Sequence, residues 1–140
     1  ETLKLISHVY LKPLLIPAFD RVYHDYRRAA IVAVFTQQMR TDEDNFPFSP
    51  SLSGFFRSLE AKLYPFLCML QMTISRRTTY PVPYVIREEM GTSLRSVHTS
   101  AERHRRDYRL LRDIVLLFDS IQRDYDVNFG RRLTPALSLS

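Results

Sequence analysis

MGTSLRSVHTSAERHRRDYRLLRDIVLLFDSIQRDY, residues 90–125, is the stretch on which the fold turns. Within it Met90, Leu94, Val97, Ala101, His104, Tyr108, Leu111, Val115, Phe118, Gln122 and Tyr125 recur at alternating steps of four and three. That spacing marks one face of an α-helix, and five successive heptads of it mark a helix lying lengthwise against another, as in a coiled coil. The stretch is read as one long C-terminal helix over about residues 92–127, capped by Thr92 or Ser93. At a helical rise of about 1.5 Å per residue it would be ~50 Å long. Gly130 is placed to end it in a left-handed cap, and Pro135 opposes continuation.

The two halves of this helix differ. Between residues 110 and 121 the apolar set widens to Leu110, Leu111, Ile114, Val115, Leu116, Leu117, Phe118 and Ile121, which predicts a half enclosed by other helices. Between residues 94 and 108 the stripe is narrow, with Arg95, Glu102, Arg103, Arg105, Arg106 and Arg109 on its flanks. This half is expected to be largely exposed or covered by a partner. His104 is either a polar residue that sets register or one at the edge of the seam.

Working outward, residues 51–77 repeat the helical logic through Leu52, Phe55, Phe56, Leu59, Leu63, Phe66, Leu67, Leu70 and Ile74, starting near Ser49-Pro50. Pro65 removes a backbone donor inside the pattern, so a kink or a split is expected there. Residues 2–12 read as a short helix. Residues 17–40 read as a longer one, with Phe19, Val22, Tyr26, Ala30 and Ala33 or Val34 on its inner face. The β-branched run from Ile31 to Phe35 would suit a buried strand, but no other segment offers it a pairing partner. Residues 41–51, acidic and then aromatic, read as a loop whose Phe46 and Phe48 fold back as lids. Residues 78–83 read as extended because they carry two X-Pro steps.

The sum is an all-α chain: a four- or five-helix antiparallel bundle occupying residues 1–130 as a single domain, followed by an extended tail over 131–140. With 140 residues, 45% of them hydrophobic and 25% charged, the composition is that of an ordinary globular domain. The 3 glycines disfavour hairpin-rich folds and phosphate-binding glycine loops. No apolar run approaches the ~20 residues of a membrane-spanning helix. The chain opens on Glu1 and runs straight into patterned sequence, which reads as a domain of a longer protein. Cys68, the 1 cysteine, lies between Leu67 and Met69 and is expected to be a buried structural thiol in an intracellular protein of the cytoplasm or nucleus.

Catalysis finds no constellation in this sequence. His8, His24, His98 and His104 stand at no metal-ligand spacing, Asp20 with His24 is half a site, and adjacent Glu88 and Glu89 point apart on a helix. No cofactor, metal or catalytic residue is called for. The chain carries a net charge of +5, with 17 Arg against 3 Lys. Arg105, Arg109 and Arg112 align at i, i+4 and i+7, a row that fits an acidic protein or a phosphate backbone. Against that stand four candidate i,i+4 pairs that would neutralise the face internally: Glu102 with Arg106, Arg103 with Asp107, Arg109 with Asp113, and Asp119 with Arg123. The expected function is non-catalytic protein–protein interaction or assembly, a scaffold role with self-association of the long helix as one form. The partner-binding residues would be Leu94, Val97, Ala101, His104, Arg105, Tyr108, Arg109 and Arg112, and the partner another protein or a second copy of the chain. The alternative is a basic helical nucleic-acid-binding module of nucleoprotein or RNA-associated type, using the Arg-rich face.

Overall fold

The computed structural model describes residues 18–76 and 81–129. The expected helix over 2–12, the Gly130 cap, the tail over 131–140 and the start of the extended loop lie outside the described residues. Within them the chain is all-helical, with no strand: α1 is Ala18–Asn45, α2 Ser53–Ser75, α3 the four-residue Thr92–Arg95, and α4 Ser100–Phe129, with a 3-10 turn at Arg87–Glu89. Among the described residues no helix is long and apolar enough to cross a membrane.

α1 is the central helix. Ala29, Ile31, Val32, Phe35 and Met39 are all buried, more of its circumference than a single face would supply, because α2 and α4 both pack on it. This differs from the face expected from the sequence: Tyr26, Ala30, Ala33 and Val34 are only half-buried. The run Ile31 to Phe35 is helical, its β-branched residues lodged in the core rather than in a sheet. α1 also extends to Asn45, past the expected end at Arg40. Side-chain bonds four residues apart, Gln38 to Asp42 (2.7 Å) and Arg40 to Asp44 (3.1 Å), hold this acidic last turn in the helix.

α2 folds back along α1. The end of α1 meets the start of α2 through Arg40 Nε donating to Glu60 Oε2 (2.7 Å), and Val22 near the start of α1 packs with Leu70 and Ile74 at the end of α2. Of the kink or split expected at Pro65 the split does not occur: α2 runs as one helix through Pro65, an exposed position facing away from the core. The same outward face carries Tyr64, Cys68, Met69 and Met72. Cys68 is therefore exposed, not buried: of its apolar neighbours in sequence Leu67 turns partly inward, while Met69 shares its exposed side of the helix.

α4 crosses back along α1, its first turns beside the end of α1 and its last beside the start. Leu110, Ile114, Leu117 and Ile121 join Ile31, Val32, Phe35 and Met39 in one core cluster, with Phe56 and Leu63 from α2. Phe66 of α2 and Phe118 of α4 meet edge to face, centroids 5.6 Å apart. The segment linking α2 to α3 is pinned to α1 by Arg87 donating to Gln38 (2.9 Å) and by the Arg27–Glu89 pair (3.3 Å), and it plugs the core with fully buried Met90.

Two expectations for the C-terminal region are overturned. The helix over 92–127 is not continuous: residues 96–99 interrupt it between α3 and α4. The break has two chemical causes. Thr99 and Glu102 form a reciprocal capping box, with Glu102 N–H donating to Thr99 Oγ1 (3.2 Å) and Thr99 N–H to Glu102 Oε2 (3.3 Å). Arg106 Nη1 also donates to the Leu94 carbonyl (2.9 Å), the acceptor a continuous helix would offer to His98. Nor does the seam lie where the apolar steps placed it. The buried stripe of α4 is Arg103, Arg106, Asp107, Leu110, Ile114, Leu117 and Ile121; Val115, expected inside, faces outward, and Ala101, His104 and Tyr108 do so as expected of a half that is exposed or covered by a partner. The half expected to be enclosed leaves Val115 and Leu116 exposed, since α1 and α2 cover only one side of it.

Candidate partner-binding site

The first turns of α4 face inward onto a buried cluster of charges. Arg103 Nη1 donates to the Asp42 carbonyl (3.1 Å) and Nη2 to the Phe46 carbonyl, while its guanidinium lies 4.0 Å above the Phe48 ring and 3.9 Å from Glu43. Arg106 Nη1 reaches Asp42 Oδ2 (2.6 Å), and Arg106 Nε bonds Asp107 (2.8 Å). Glu43, almost wholly buried, accepts the backbone N–H groups of Phe48 (2.9 Å) and Leu52 (2.8 Å), fixing the connection into α2. Burial pushes the Asp107 carboxyl above its usual range, against the pull of Arg106.

This cluster changes the meaning of the basic stretch. Arg103 and Arg106, expected on a solvated flank, are buried and spent on α1. The i,i+4 pairs expected from the sequence are replaced: Arg103 and Arg106 turn to α1, Arg112 pairs with adjacent Asp113 (2.9 Å), and Arg123 donates to the Asp119 backbone carbonyl (3.2 Å). Among the described residues, Arg105 and Arg109 make no ion pair.

Of the eight residues singled out from the sequence, four meet in one place. Because the chain turns at 96–99, α3 and the residues after it lie over the first turns of α4 and enclose an open cleft of ≈ 260 Å³. Leu94, Val97 and Leu110 line it with apolar surface, Arg105, Arg106 and Arg109 with positive charge, and Ser93, Ser96, His98 and Glu102 complete it. Ala101, His104, Tyr108 and Arg112 are not among its lining. They lie on the adjoining outward side of α4, where Tyr108 is 70% exposed and His104 stacks on Phe48 with centroids 3.6 Å apart. Phe48 thus acts as the expected lid, whereas Phe46 stays 72% exposed and contributes its carbonyl instead.

Sequence reasoning missed Ser93, Ser96, His98, Glu102, Arg106 and Leu110 as cleft residues. One signal could have found them: Thr99-x-x-Glu102 is a helix-start signature, and a start there requires the preceding segment to leave the helix axis. At ≈ 260 Å³ the cleft falls short of the roughly 300–1,000 Å³ that holds a drug-sized ligand, and suits one or two side chains of a peptide. Among the described residues no group of His, Cys, Asp and Glu is gathered to hold a metal ion.

Compared with known proteins, the chain matches no family model, no curated sequence and no solved structure.

Proposed function

We propose that this chain is a non-catalytic protein–protein interaction and assembly module, an antiparallel bundle of four or five helices that engages its partner through the first half of α4 and the cleft beside it. The observation that carries this reading is Tyr108, an aromatic side chain 70% exposed on a helix whose inner face is already committed to the core. An exposed tyrosine flanked by Arg105, Arg109 and Arg112 has the composition of an interface anchor, since aromatic residues and arginine dominate the binding energy of protein interfaces. Self-association is the first form to test, and a cytoplasmic or nuclear setting fits a module of this kind.

The test is the double variant Ala101→Glu with Tyr108→Glu. Both side chains are exposed, so circular dichroism is expected to be unchanged, while the rise of mass with concentration that the unaltered chain is expected to give in light scattering is abolished. A variant that unfolds, or one that associates as before, overturns the reading. Binding of a generic oligonucleotide that weakens steeply with salt, with no protein association at any concentration, would favour a nucleic-acid module instead.

A further inference from the structure

We infer that the cleft between α3 and α4 receives a partner segment in which carboxylates stand beside a large aliphatic side chain. The inference rests on the reading of this face as a protein-binding surface and goes further, because the lining specifies the chemistry of the occupant.

Four charged side chains line the cleft, and they are not equivalent. Arg106 is held by Asp42 and Asp107 from within, and its role in the cleft is fixed by the Leu94 carbonyl it binds. Glu102 is held by the Thr99 hydroxyl (2.7 Å) and backbone, which keeps its carboxyl below the usual range and its charge on the helix N-terminus. That leaves Arg105 and Arg109, one turn apart on α4, as the two cations whose charge faces the opening without an ion pair among the described residues. A guanidinium presents a planar fork of donors that matches a carboxylate, and two of them a helical turn apart match two carboxylates on an extended or helical segment. Between them and α3, Leu94 and Val97 are only half-buried, so apolar surface remains to be covered. A purely acidic tract would leave that surface wet, and a purely apolar segment would leave both arginines unmatched.

A random-peptide library selected on the folded protein tests this directly. The expected binders carry at least two carboxylates with a leucine, isoleucine or methionine among them, and a labelled binder loses roughly tenfold or more in affinity on the variant Arg105→Gln with Arg109→Gln, a step of about 1.4 kcal/mol. Both arginines are exposed, and circular dichroism of the variant checks that the fold is kept. Binders that are neutral or basic, acidic binders that ignore the double variant, or failure to recover any binder overturn the inference. So does a single-stranded oligonucleotide that competes for the same two arginines more tightly than any peptide. Binders that need Tyr108 but neither arginine would sink this inference while leaving the protein-binding reading intact.

Discussion

Arg103, Arg106 and Asp107 show why a charged residue can be misread. In the sequence they look like the solvated flank of an amphipathic helix, yet each is buried and pairs with α1 or with its neighbour. Their partners Asp42 and Glu43 lie about sixty positions away in what reads as an acidic loop, and nothing local announces the pairing. Tyr108, by contrast, lies outward on α4, 70% exposed, where a half expected to be exposed or covered by a partner would put it. Replacing Arg106 by Leu is expected to cost about 3–5 kcal/mol in urea unfolding, because it strands Asp107 without its cation. Asp107 also gives a pH signature. Its folded-state carboxyl titrates above the usual 3.8, so the folded protein holds that proton more tightly than the unfolded chain does. The charged form therefore opposes folding at neutral pH, and the opposition fades as the pH falls through the raised folded value toward 3.8. Unfolding wild type and Asp107→Asn at a series of pH values should show the difference between them moving in favour of wild type on acidification, since the asparagine does not titrate.

Among the elements, α1, α2 and α4 were legible from three-and-four spacing, and the helical state of all three follows from that pattern. Boundaries and faces were less so. α1 ran on because its acidic end is held by Gln38 and Arg40 one turn earlier and by cations on other elements, and the break before α4 went unseen because the four-three steps happen to continue across residues 96–99. Periodicity reports which residues could share a face, not whether the backbone stays on one axis. The capping box is the device that breaks it, and its removal is measurable: Thr99→Ala is expected to lower thermal stability by about 1 kcal/mol. Glu102 adds a second handle. Its carboxyl lies below the usual 4.5 because Thr99 donates to it, so this contribution is present above 4.5 and is lost as the pH falls through the lowered value. The stability difference between wild type and Thr99→Ala should accordingly shrink in strong acid.

At the scale of the whole molecule, the position of α1 between two helices ties the core to an order of events. Its contacts with α2 can begin across a short loop, as in the Arg40–Glu60 pair separated by 20 residues, whereas the Arg106–Asp42 pair closes over 64. Closing the longer loop costs more chain entropy before any contact rewards it. The α1–α2 hairpin is therefore expected to form first and α4 to join it later. On a ribosome the same asymmetry would be enforced by time: α1 emerges, is joined by α2, and keeps Asp42 and the apolar side that packs on α4 uncovered until residues 100–121 leave the exit tunnel. For that interval the nascent chain displays a temporary acidic and apolar groove, which its own arginine-bearing helix later fills. Synthesis stalled before α4 would leave that groove open to any basic amphipathic helix nearby.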